Sequence, residues 1–166
     1  MQVKNISDIF EAQKATDTLI HANKGLNTGD TFEKRVAALL VELGETLNEL
    51  PAEFKFWSEK SNQRQKALIE YADSLHFLVS LGIDLGIEQV ELREIDNDKP
   101  IERQFIELSN MASLLVFQEG SLKRIWHNLF SAFIHLGEQL GFTWDEVYEA
   151  YFAKNKVNHQ RQENGY

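Results

Sequence analysis

Apolar side chains recur every three or four residues along almost the whole chain, and only two prolines, Pro51 and Pro100, interrupt them. That spacing puts apolar groups on one face of an α-helix and is the wrong period for a strand. The chain therefore reads as all-α, a helical bundle of about six helices. The first helix covers about 5–22 and ends in GLNTGD (25–30). The second starts after Asp30 or Thr31 and runs to about Leu50, where Pro51 stops it. Residues 51–64, with two aromatic pairs among charges, form a structured connection. The third helix covers about 65–86, the fourth runs from Pro100 to about Gln118, and the fifth from Leu122 to about Leu140. In TWDE, Thr143 is set as an N-cap with Glu146 as the third helical residue, the pattern of a capping box. A last helix opens there and is expected to end near Asn155, followed by a polar, basic tail. No repeat or linker-like block divides the sequence, and a length of 166 suits one domain over 1–166.

Composition removes several functions. Without cysteine there is no disulfide framework, thiolate nucleophile or Cys-type metal site. The 26 acidic against 17 basic residues, a net charge of -9, disfavour nucleic acid and anionic membranes, both of which need a basic footprint. A phosphate substrate stays open if a cation sits between the two negative partners. The N-terminus lacks a signal-peptide apolar run, and the longest apolar tract, 67–87, carries Glu70, Asp73 and Asp84. The expectation is a soluble, cytoplasmic protein. Phe105, Leu108, Met111 and Leu115 in the fourth helix, and Trp126, Leu129, Phe133, Ile134 and Leu140 in the fifth, read as bundle core. His127 and His135 have no carboxylate framing them and read as packing residues. No P-loop, GxGxxG, GxSxG or HExxH pattern occurs.

The chemistry concentrates in the second and third helices. Glu42, Glu45 and Glu49 share one arc, beside an apolar arc of Val36, Leu39, Leu40, Leu43, Leu47 and Leu50. Alone, such an acidic arc is an ordinary solvated face. The third helix is different, because it is apolar nearly all round and should be buried, yet carries Glu70 and Asp73. Buried carboxylates need protonation, a basic partner or a metal ion. No basic residue stands at suitable spacing on that helix, although one from elsewhere in the chain would serve. The 24 residues between Glu45 and Glu70 allow the two helices to lie antiparallel, so that four carboxylates converge between them. An all-oxygen set suits Mg²⁺ or Mn²⁺, and such an ion bridges an acidic protein to a polyphosphate.

The pattern E-x-x-E (42–45) followed by E-x-x-D (70–73) resembles the all-α nucleoside triphosphate pyrophosphatases, which include the MazG-like enzymes and the dimeric dUTPases. FKFWS at 54–58, EYADSLHFLVSLG at 70–82 and YFAKNKVNHQRQENGY at 151–166 bring it nearest the dimeric dUTPases, in the order of their motifs. The resemblance implies a homodimer that converts dUTP to dUMP and pyrophosphate and so limits uracil entry into DNA, with dUDP a candidate second substrate. It implies that Glu42, Glu45, Glu70 and Asp73 are catalytic and hold two or more Mg²⁺, with Glu45 also orienting or deprotonating the attacking water. Gln13 matches a base-reading position; Trp57, His76 and Phe77 match the nucleotide pocket; Lys55, Lys154, Asn155, Asn158 and Arg161 match substrate contacts, the tail closing over the triphosphate. Two other readings stay open at this point. One is a house-cleaning pyrophosphatase preferring dCTP or modified nucleotides. The other is a non-enzymatic helical dimer with a structural acidic cluster.

Overall fold

The computed structural model describes residues 1–95 and 99–165, with Thr28 described by its backbone only. Among the described residues seven α-helices follow in order: α1 (Ile6–Lys24), α2 (Phe32–Asn48), α3 (Pro51–Phe54), α4 (Arg64–Asp84), α5 (Ile101–Phe117), α6 (Leu122–Gln139) and α7 (Trp144–Glu163). There is no strand among the described residues. The six long helices are those the apolar spacing predicts, and α3 is a single turn with Pro51 at its start, where a missing N–H costs nothing. GLNTGD does break α1: Gly25 takes the left-handed conformation at φ 61° and caps the last turn.

α4 is the centre of the bundle, and 13 of its 21 residues are buried, which fits a helix apolar on nearly every side. α2 packs along it, α6 and α1 cover other faces, α7 closes over both α1 and α4, and α5 joins α6 and α2. Gly82 lets α6 approach closely. The Trp126 indole lies where a side chain would stand, since a Cβ there would be 2.6 Å from the ring, and its N–H donates to the Leu78 carbonyl at 2.8 Å. Phe105, Leu108, Leu115, Trp126, Leu129, Phe133 and Ile134 are buried as core, while Met111 and Leu140 are half-buried against it.

The start of α7 follows the capping box: Thr143 Oγ1 accepts from the Glu146 N–H, and Glu146 accepts from the Thr143 N–H at 2.8 Å. Its end does not follow the sequence expectation. The helix continues past Asn155 to Glu163, because the polar tail has partners on α1. Asn155 donates to Thr16 Oγ1 at 2.8 Å, His159 bonds the same hydroxyl at 2.8 Å, and Asn23 donates to the Gln162 side chain at 3.3 Å. What reads as a frayed terminus in one dimension is a polar helix–helix seam. No described helix is long and apolar enough to cross a membrane.

Candidate functional site: a carboxylate cluster at the mouth of a polar cavity

α2 and α4 run antiparallel, with Arg35 beside Ser80 and Asp84 at one end and Glu45 beside Glu70 towards the other. In that register Glu42, Glu45 and Glu70 face one another, each offering a carboxylate oxygen within 4.8 Å of the other two. Glu45 is exposed and Glu42 and Glu70 are half-buried. Burial, then the charges of Asp73, Glu45 and Glu70, push Glu42 up to about 7. Burial followed by Asp73 and Glu45 likewise raises Glu70. A cluster that strained by its own charge is matched to a hard divalent cation, which removes the repulsion by coordination.

Asp73 lies beside these three, outside the set whose oxygens are mutually within 4.8 Å. It is buried, and its Oδ2 accepts from the Lys154 ammonium of α7, a basic partner brought from 81 positions along the chain. Its other oxygen, Oδ1, is buried with no hydrogen-bond partner, an unmet acceptor beside the cluster. Glu42 and Asp73 both line a cavity of about 400 Å³ that runs between α1, α2, α4 and α7. Gln13, Asp17, His21 and Ile20 form its α1 wall; Arg35 closes the α2 side; His76, Phe77 and Ser80 form the α4 wall; Lys154, Asn158 and Arg161 come from α7.

Of the residues that the resemblance singles out, Gln13, Glu42, Asp73, His76, Phe77, Lys154, Asn158 and Arg161 line this one cavity. Glu45 and Glu70 stand at its edge through the cluster. Asn155 is buried behind the wall, tying α7 to Thr16. Lys55 and Trp57 are not brought there within one chain. Lys55 donates to Asn48 Oδ1 at 2.8 Å in a separate depression, and Trp57 is 66% exposed, packed edge-on against Phe54 and Phe56. Tyr166, the last residue of the matching tail, lies outside the described residues. His127 and His135 are buried on α6, away from the cavity; His127 Nδ1 accepts from the Glu91 N–H at 3.3 Å, and the expectation that no carboxylate frames them fails for His135, whose Nδ1 lies 3.4 Å from Glu138 Oε2.

The family model for dUTPase matches residues 5–166, almost the full length of the chain. The chain belongs to the type 2 dUTPase family. No curated protein matches it. With the family comes the activity, so the chain is an enzyme, a dUTP diphosphatase with a nucleotide substrate.

Several residues of the dUTPase cavity carry no signal in one dimension. Arg35 donates to Ser80 Oγ at 2.8 Å and pairs with Asp84, so a guanidinium is buried at the cavity floor by partners 45 and 49 positions away. Tyr151 stacks on His76 with centroids 4.0 Å apart and donates to Gln13 Oε1 at 2.8 Å. Asp17 was open to inference, being one turn after Gln13 on the same face. The isolated spacing says nothing of its burial.

The shifted groups make the stability of the metal-free enzyme depend on pH. Folded Glu42 titrates near 7 against 4.5 ordinarily, so the folded state holds the extra proton. Its stabilisation is present below 4.5 and is lost as pH rises through 7. Glu70 and Asp17 act in the same sense. His76 opposes them: burial first, then the Lys154 charge, lowers it from 6.5 to about 3, so stability falls as pH drops below 6.5. We expect the melting temperature of metal-free enzyme to rise on acidification from about pH 7.5 to 6.5, to change little between 6.5 and 4.5, where the gain at Glu42 offsets the loss at His76, and to fall below 4.5. Glu42→Gln should flatten the alkaline limb and let the His76 loss begin at 6.5. An alkaline limb unchanged by that substitution would refute the assignment.

Proposed function

We propose that the enzyme hydrolyses dUTP to dUMP and pyrophosphate with Mg²⁺ held by Glu42, Glu45 and Glu70, Asp73 joining them through its unpaired oxygen. The observation that carries this reading is the junction of two unlike sites in one cavity. A self-repelling carboxylate cluster suited to divalent metal lies at one end, and buried neutral polar groups, Gln13 and His76, lie at the other. Lys154 and Arg161 stand on the α7 wall. A nucleoside triphosphate has that division: a polar base that hydrogen bonds read, and a polyanion that needs cations.

Bound there, the ions supply neutralisation of phosphate charge and a lowered pKa for coordinated water. The chain does the rest. Gln13 and His76 orient the base, Phe77 offers an apolar surface against it, and Lys154 and Arg161 hold phosphate oxygens as α7 excludes water. Glu45, the most solvent-accessible of the three clustered carboxylates, is placed to take a proton from an attacking water. The chain works as one domain in a homodimer that limits uracil entry into DNA. Supporting the dimer, Phe56 is 94% exposed and Phe117 is 83% exposed, apolar surface that a second copy would cover. Lys55 and Trp57, remote from the cavity in their own chain, then belong to the loop surface available to the partner's site.

The test is a panel of the common dNTPs and dUDP with Mg²⁺, read as pyrophosphate or phosphate release. Expected is release of pyrophosphate from dUTP, stopped by chelator, from a protein that sediments as a dimer. Preference for dCTP would refute the substrate, metal-independent turnover the cofactor, and a monomer of full activity the dimer.

A further inference from the structure

Lys154 belongs to two parts of the site at once. Its ammonium donates to Asp73 Oδ2, and the residue lines the cavity one turn from Asn158 and two turns from Arg161, on a single face of α7. The Lys154 side chain is 31% exposed and that of Asp73 only 8%, so the long stem of the lysine is free to swing while the carboxylate is enclosed. Asp73 adds no oxygen to the set that Glu42, Glu45 and Glu70 form within 4.8 Å. It is nevertheless close to that set. After burial, the Asp73 charge comes first among those that raise Glu42 and Glu70, and the Lys154 charge lowers both. Asp73 is thus near enough to join the three carboxylates, and an ion pair holds it off them.

We propose that Lys154 is a latch on the metal site: its ammonium keeps Asp73 turned from Glu42, Glu45 and Glu70, and Asp73 turns in to complete the set only when a nucleotide phosphate takes the ammonium. This rests on the dUTP and Mg²⁺ reading above. Oδ2 is taken by Lys154 and Oδ1 is buried, so neither Asp73 oxygen is open to a hydrated ion as the carboxylate stands. A rotation that brings Oδ1 out breaks the Lys154 contact. An ammonium withdrawn without replacement would leave a buried carboxylate with both oxygens unmet, which is strongly unfavourable. Release of Lys154 to a phosphate and arrival of a second cation at Asp73 therefore favour each other, as reciprocal linkage requires. Lys154 acts on the metal set as a positioning residue, through Asp73, in addition to its phosphate contact.

Two readouts test the latch without turnover. In wild type, the through-hydrogen-bond ¹⁵N–¹³C coupling between the Lys154 ammonium and the Asp73 carboxyl carbon should persist at saturating Mg²⁺ and disappear when the α,β-imido analogue of dUTP is added. By calorimetry on nucleotide-free protein, Lys154→Met should bind Mg²⁺ about tenfold more tightly than wild type, the scale of a coupling between two sites. The same substitution made in Asp73→Asn protein should change Mg²⁺ affinity by no more than about twofold, because the carboxylate that it frees is gone. A coupling lost with Mg²⁺ alone, or kept with the analogue bound, would overturn the proposal with no variant needed, which covers a Lys154→Met protein that does not fold. No gain in Lys154→Met would overturn it as well, and so would an equal gain in both backgrounds, since Lys154 would then act only through its general field. Wild type that binds neither Mg²⁺ nor the analogue would instead overturn the underlying dUTP reading and this proposal together.

Discussion

Glu70→Gln is expected to lower pyrophosphate release from dUTP by at least about a hundredfold, the scale of loss when a preorganised charge at a reaction centre is removed. Metal-free protein should be as stable as wild type or more so. Glu70 gains nothing from its carboxylate neighbours: burial and then the charges of Asp73 and Glu45 raise its pKa, so a neutral side chain of the same shape relieves the folded state. Asp73→Asn should lose activity similarly but behave differently in stability. The acidic spacing alone suggests that both substitutions relieve repulsion, yet Asp73 is paired with Lys154. Removing that charge breaks a part-buried ion pair, at a cost of about 1–2 kcal/mol after allowing for the solvent that reaches Lys154. Thermal denaturation in chelator separates the two. Equal destabilisation by both substitutions would mean that Glu70 also has a stabilising cationic partner, and an active Glu70→Gln enzyme would remove it from the site.

Trp126→Ala should cost about 3–5 kcal/mol, the largest single loss expected in the core, and lower the melting temperature by roughly 6–20 °C for a chain of this size. The indole is fully buried, stacks on Phe130 with centroids 5.0 Å apart, meets Phe10 edge-on at 6.1 Å, and fills the space left by Gly82. Nothing small replaces it without a cavity, and its N–H bond to Leu78 is lost as well. Because this contact holds α6 against α4 rather than any ligand, kcat well below the new melting temperature should change little. A shift under about 1 kcal/mol would show that the helices close over the gap.

The long helices were legible because each writes its buried face into the sequence at its own period, and their ends because caps are local chemistry: Thr143 with Glu146, Gly25 after Lys24, Pro51 at the first turn of α3. The pairing of E-x-x-E with E-x-x-D pointed to the right two helices for the same reason. The end of α7 was not legible, since residues 156–163 are polar but for Val157 and owe their helix to Thr16 and Asn23, more than a hundred positions away.

The sequence by itself determined the all-α class, the helix boundaries other than the end of α7, and the family, all of which depend on spacing within about one turn or on motifs in order. Only the tertiary structure decided how the site residues divide. Three carboxylates cluster while Asp73 turns to Lys154, Lys55 and Trp57 stay outside the cavity, and Arg35, Ser80, Asp17, Gln13 and His76 join in one chain of hydrogen bonds. The physical reason is distance. Burial, charge pairing and the sense of a hydrogen bond are set by neighbours that α1, α2, α4 and α7 bring together from across the chain, and no local pattern records them.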